Sequence, residues 1–445
     1  MNLSNKMDRR ALLLSGELFI LIAAYYQVKP LSRTLIITEM GSAVVPYGWV
    51  AASLVLILLL PYLRWRAKSY TTTAVHGASC LSFAVLLILY WSESFGTVEK
   101  MSLPFFIVVD IYGVVLLENF WSQVNWELGC AQGRKMFGIV ATGGLLGGVF
   151  GSVAANGLLR IYGFVPTDLL LVACGLLSLP AGLAISGQRR FISKRLMQAN
   201  HPQFTSQRNH LVVPQTLRRY FMLLSVIVLA GQCVEPIIEY QFLHAVEQAT
   251  PDLTERTLYL TQVLALVSTL ALLLNIIVAP RISSSTLFYY LAIQPSLLMV
   301  VAIFSLVSPA LGAYSILKIV DRGTSYSIGK VLREYLYVDL ATQTMRVVRV
   351  LLDIVGYRSF KVLGSLLVIL GANRFADASS VLTVILISLT AFWLVAVLQF
   401  APRPLGTISR LHSRENPNSV QCSLIRRYKS ASSQILIVMS RIIQP

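Results

Sequence analysis

The chain has 445 residues, of which 56% are hydrophobic and 13% charged, with a formal net charge of +17 and a mean hydropathy of +0.68. That balance excludes a soluble enzyme built around one large core and marks an all-α polytopic membrane protein. The positive surplus is the signature of orientation against an anionic lipid bilayer, and nucleic acid is not an expected partner.

A membrane-spanning helix needs about 20 apolar residues. Twelve segments qualify, at 11–28, 44–63, 73–92, 104–124, 136–159, 168–187, 220–245, 258–279, 286–307, 310–329, 347–371 and 379–400. They are too long and too evenly apolar for barrel strands. The first follows a basic start (Lys6, Arg9, Arg10) with no small-residue cleavage pattern after it, so it reads as a span and not as a signal peptide. With no room before it for a long transit peptide, a bacterial inner membrane is the expected location.

Charges on the connections alternate along the chain. Arg64, Arg66 and Lys68, then Arg134 and Lys135, then Arg189, Arg190, Lys194 and Arg195, then Arg281 fall on one side. Glu93 and Glu99, and later Glu247, Asp252 and Glu255, fall on the other. Because cytoplasmic loops collect Lys and Arg, both termini are expected in the cytoplasm.

Residues 188–219 are polar, basic and free of acids, and they divide the chain into an N-terminal half (1–187) and a C-terminal half (220–400), with a basic tail over 401–445. Six helices, a basic linker and six more is the plan of major-facilitator transporters, a six-plus-six pseudo-twofold bundle. Two internal echoes agree with duplication. Tyr26-Gln27-Val28 near the end of the first segment matches Tyr240-Gln241-Phe242 near the end of the seventh. Glu118 before Arg134 and Lys135 matches Glu334 before Arg346 and Arg349, and each basic pair runs on into glycines.

The glycine run Gly143, Gly144, Gly147, Gly148 and Gly151 reads as a surface for close helix approach in lipid. It lies inside a span and lacks the Lys-Ser/Thr ending of a phosphate-binding loop. The five cysteines show no C-x-x-C spacing and the five histidines are scattered, so neither a disulfide frame nor a metal site is expected, nor a cofactor.

Ionisable residues at membrane depth carry the functional signal, because each costs about 2.5–3.5 kcal/mol unless paired or hydrated. They include Glu17, Lys29, Arg33, Asp110, Glu118, Glu235, Glu239, Lys318, Asp321, Arg322, Arg349 and Asp353. Lys29 and Arg33 stand one helical turn apart and can share a phosphate or carboxylate, and Arg346 and Arg349 offer the same geometry from the other half. Glu235 and Glu239 flank Pro236, which bends the span. The pair suits a proton or cation relay, or the neutralisation of a nearby cation. Asp321, Arg322 and Glu334, with Arg346, read as gating or helix-locking salt bridges.

Four blocks resemble the ATP/ADP translocase family of nucleotide transporters. YYQVKPLSRTLIITEMGSAVVPY is similar to the family's first helix, with Lys29 at the position of its substrate-interacting lysine. ENFWSQVNWELGCAQGRKMFGIVATGG resembles its fourth helix, with Glu118 as the functional glutamate, and VEPIIEYQF resembles its glutamate-bearing seventh helix. The stretch IVDRGTSYSIGKVLREYLYVDLATQTMRVVRVLLDIVGYR is similar to a basic region in which Arg349 takes the last cationic position and Asp353 the aspartate after it. Met345 and Val347 stand where the family has lysines, and Asp339 where it has proline.

The resemblance implies a monomeric antiporter or proton-coupled importer of an anionic solute of the nucleotide kind, working by alternating access. With no ATPase motif in the chain, exchange or an ion gradient would drive it, and no enzymatic activity is expected. One alternative is a carrier of another anion, such as a carboxylate-rich metabolite or metal chelate. A second, of a different class, is a non-transporting scaffold or receptor that uses the basic tail for docking.

Overall fold

A computed structural model describes residues 3–93, 101–128, 133–191, 215–282, 286–329, 332–333, 352, 356–375 and 377–400. Within them the chain forms twelve α-helices. The first six are α1 (Leu3–Glu39), α2 (Val45–Ser69), α3 (Thr72–Glu93), α4 (Ser102–Leu128), α5 (Gly133–Arg160) and α6 (Leu169–Phe191). The second six are α7 (Gln215–Ala249), α8 (Leu253–Ile277), α9 (Leu287–Val307), α10 (Leu311–Tyr326), α11 (Tyr357–Arg374) and α12 (Ala378–Phe400). Ten of these are long and apolar enough to cross a membrane. α10, at 16 residues and carrying Lys318, Asp321 and Arg322, and the 18-residue α11, with Arg358 and Lys361, are the two that fall short. The linker and tail, together with Glu334, Arg346, Arg349 and Asp353, lie outside the described residues.

The largest departure from the sequence reading is α1. Its apolar stretch runs from Arg10 to Glu39, well past residue 28, so Lys29, Pro30 and Arg33 are inside the span and buried. A polar turn of this kind reads as the end of a span when its partners are unknown. Here Arg33 is neutralised by Asp110, 77 positions away on α4.

Packing within each half relies on small residues, because lipid supplies no hydrophobic drive for helices to associate. A Cβ at Gly147 would strike the backbone of Phe19, which is why α5 can lie against α1. Gly364 does the same for α11 against α7, where a Cβ would meet Cys233 and Pro236. The paired glutamines of the internal echo also tie the first helix of each half to a later one. Gln27 Nε2 donates to Gly151 O at 2.9 Å, and Gln241 Nε2 donates to Ser379 O at 3.1 Å and Thr383 Oγ1 at 2.7 Å.

Two seams join the halves. Along α5 and α8, Asn156 Nδ2 donates to Leu258 O at 3.2 Å and Thr261 Oγ1 at 3.1 Å, and Gly148 leaves room for Ser268. Along α2 and α11, Asn373 Nδ2 donates to Tyr47 Oη at 3.1 Å, and Trp49 lies beneath Lys361. The end away from the α6–α7 connection is further latched. Arg256 donates to Thr38 Oγ1, Thr250 O and Glu247 O at 2.8, 2.8 and 3.1 Å. Ser42 N donates to Glu247 Oε2 at 3.0 Å, and the Ser42 hydroxyl meets His244 Nδ1 at 2.9 Å.

Candidate functional site

The buried charges converge on the middle of the bundle, where the first helices of the two halves, α1 with Pro30 and α7 with Pro236, bring their polar turns inward. A proline inside a helix removes one backbone donor and opens the coil locally. That is where each half carries its charge.

In the first half, α1 presents Lys29 and Arg33 one turn apart, but their neighbours differ. Arg33 forms an ion pair with Asp110, takes Ser32 Oγ at 2.9 Å, and stacks over Phe106 with 4.7 Å between guanidinium carbon and ring centre. Lys29 is 3% exposed, and its ammonium lies 6.0 and 5.9 Å from the rings of Tyr25 and Tyr26. Among the described residues it makes neither a hydrogen bond nor an ion pair. Glu118 on α4 is likewise buried with neither; Arg358 on α11 is the cation whose field reaches it.

Between α7 and α10 the charges are matched. α7 and α10 run antiparallel, so residues four apart on one face those four apart on the other. Glu235 pairs with Arg322 and Glu239 with Lys318, two rungs of a ladder one turn apart. Asp321 Oδ2 sits 3.4 Å from Arg322 Nε. From α11, Lys361 Nζ reaches to 3.7 Å from Glu235 Oε1, and the Tyr357 hydroxyl donates to Glu235 Oε2 at 3.4 Å. Glu235 is thus the hub, and Glu239 and Asp321 serve as counter-ions.

The structure therefore brings together Lys29, Arg33, Glu118, Glu235, Glu239, Asp321 and Arg322. The remaining sequence candidates, Glu334, Arg346, Arg349 and Asp353, fall in stretches outside the described residues. Asp110 and Lys318 belong to the constellation too; both carried the signal of a charge at membrane depth. Arg358 and Lys361 were missed, although Lys361 lies well inside the segment read as a span over 347–371 and had the same signal.

Two recesses open onto this centre. One, lined by Gln232, Glu235, Asp321, Arg322, Arg333 and Tyr357 among others, is charge-matched and has a cavity volume of about 20 Å³. The other, of about 10 Å³, lies between α2, α4 and α11 and is lined by Trp49, Ser53, Asp110, Arg358 and Lys361 with three apolar residues.

No protein-family model matches the chain, and no curated protein does. Solved structures do. A bacterial homologue of the iron transporter ferroportin, in an inward-facing state, superposes with a TM-score of 0.59 at 11% identity, over 91% of this chain and 100% of that one. The nucleoside transporter NupG gives 0.58 at 14% identity, over 92% and 100%. A POT family transporter in complex with a thioalcohol-conjugated peptide gives 0.57 at 11% identity, over 87% and 96%. At such identities the likeness establishes the fold: an all-α polytopic membrane protein of the major-facilitator type.

Proposed function

We propose that the protein is a secondary active transporter that moves an anionic small molecule by alternating access between its two halves. The observation that carries this reading is Lys29, a buried cation at the centre of a transporter-type bundle with no carboxylate partner among the described residues. An unpaired ammonium at membrane depth is costly, and an anionic solute that entered beside it would supply the missing counter-charge. The fields of Arg33 and Asp110 from one half and of Arg322 and Glu235 from the other all reach Lys29, so a solute held there can sense both halves. Rocking about the α5/α8 and α2/α11 seams would release the latch at one end and expose the site to the other side.

The cargo class we assign is a nucleotide or related phosphorylated anion, on the resemblance of the segments around Lys29, Glu118 and Glu235 to the ATP/ADP translocase family. The location is a bacterial inner membrane with both termini cytoplasmic, and the working unit a monomer. Arg349 and Asp353 are assigned to the same site, the arginine as a second anion ligand and the aspartate as its balance.

The test is uptake of labelled ATP into liposomes holding the purified protein, with and without internal ADP, beside Lys29→Ala and Arg349→Ala. Saturable uptake that requires internal ADP and is lost in both variants is the expected result. No uptake above empty liposomes would remove nucleotides as the cargo. Glu118 favours a second reading, proton-coupled import of another anion such as a carboxylate-rich metabolite or metal chelate, since a buried carboxylate without a counter-ion is suited to carry a proton. Under that reading an imposed pH gradient drives uptake and Glu118→Gln abolishes the dependence on the gradient.

A further inference from the structure

Half of the residues lining the recess between α2, α4 and α11 carry side-chain donors: Trp49, Ser53, Arg358 and Lys361. Arg358 and Lys361 are three residues apart, on one face of α11. Arg358 is half-buried and makes no ion pair or hydrogen bond among the described residues; its guanidinium lies 5.7 Å from the Tyr357 ring. Lys361 is 3% exposed, and its ion-pair partner Glu235, at 3.7 Å, is too far for a hydrogen bond. Trp49, 1% exposed, has an indole N–H with no acceptor, and the Ser53 hydroxyl is also buried there. Among the described residues the one acid in the lining is Asp110, which Arg33 already neutralises.

The second recess is the contrast. There two cations, Arg322 and Arg333, stand with two acids, Glu235 and Asp321, so the charges of the lining balance. Buried donors are normally satisfied, so an unpartnered indole N–H beside two cations marks a place where an acceptor belongs. The cavity itself is about 10 Å³, room for one water, so a larger group is admitted only when the α2/α11 seam opens.

We infer that this recess is an oxyanion subsite, in which Arg358, Lys361, Trp49 Nε1 and Ser53 hold one phosphoryl or carboxylate group of the solute. The inference rests on the reading of the chain as a carrier of anions. Asp110 lines the recess and pairs with Arg33, one turn along α1 from Lys29, so the subsite adjoins the central lysine and gives a polyanion a second anchor. Because α2 and α4 belong to one half and α11 to the other, a group bound there bridges the α2/α11 seam, and its arrival or departure bears on how the halves pack.

The test is equilibrium binding of inorganic phosphate, and separately of acetate, to the purified full-length protein at constant ionic strength. Wild type is compared with Arg358→Gln, Lys361→Gln, Trp49→Phe and Lys29→Gln. Loss of a charge-assisted hydrogen bond should weaken phosphate binding about tenfold or more in Arg358→Gln and Lys361→Gln. Trp49→Phe, which keeps the ring stack and removes only the N–H, should weaken it several-fold, on the order expected of one neutral hydrogen bond. Preference for phosphate over acetate assigns the group as phosphoryl, and the reverse as carboxylate. Unchanged affinity in Arg358→Gln and Trp49→Phe, with loss in Lys29→Gln, would overturn the subsite and leave the carrier reading standing. If wild type neither binds nor transports any anion, both fall.

Discussion

At the centre of the first half one cation, Arg33, is matched by one acid, Asp110, while Lys29 and Glu118 are buried without a hydrogen bond or ion pair among the described residues. Across the seam, Glu235, Glu239, Lys318, Asp321, Arg322 and Lys361 are linked by ion pairs that reach from α7 to α10 and α11. The same residue types at the same depth have thus been put to two uses. Paired charges at membrane depth hold helices in register, whereas unpaired ones leave a valence for something that arrives from outside the chain. Stability should therefore be most sensitive at the α7–α10 ladder, and solute binding at the charges left without such partners.

The comparison is broken most sharply at the ladder. Lys318→Ala strands Glu239 in the bundle and should cost roughly 3–5 kcal/mol, read as a large fall in the unfolding temperature of the purified protein. Replacing both partners with apolar residues of similar size, Lys318→Met with Glu239→Leu, should recover most of that loss. A double variant as unstable as the single one would show that the ladder does more than neutralise its own charges.

A smaller effect is expected at the latch. Arg256→Ala removes three hydrogen bonds, one of them to Thr38 in the other half, and leaves the carbonyls of Thr250 and Glu247 to find other donors. A loss of about 1–3 kcal/mol follows. The released end should also become accessible: a cysteine introduced at Thr38 should react with a membrane-impermeant thiol reagent faster in the Arg256→Ala background than in wild type. Equal rates would mean that the seams alone close that end.

The smallest effect is at the surface. Asp377 lies in the connection before α12 and accepts from Ser380 N at 3.2 Å, which holds its carboxyl below the usual carboxylate range. A carboxyl whose pKa is lower in the folded state contributes stability above its unfolded pKa and loses it as pH falls through the folded value. Asp377→Asn should therefore lower the unfolding temperature slightly at neutral pH and not at all in acid. A difference that persists in acid would assign the effect to the cap geometry and not to charge.

Much of the architecture was legible from residues alone. The apolar runs announced the helices. The length of α1 was hidden, since nothing near Arg33 in the chain reveals that Asp110 will neutralise it. The cost of a buried charge made Lys29, Glu118, Glu235 and Glu239 visible as candidates, but which of them would be paired depended on α10 lying antiparallel to α7. That is tertiary information. Arg358 and Lys361 were overlooked because the denser basic stretch before them drew the same argument, whereas the recess they share with Trp49 exists only once α2 and α11 meet.

The central claim is that Lys29 is left unpaired for a solute, and it can be measured directly by anion binding and thermal unfolding of the same preparation of Lys29→Met. The account predicts that the variant unfolds at or above the wild-type temperature, because the lysine has no carboxylate to lose, and that its affinity for the transported anion falls by about tenfold or more. A variant that binds anions as well as wild type does, or that loses stability as Lys318→Ala should, would contradict it.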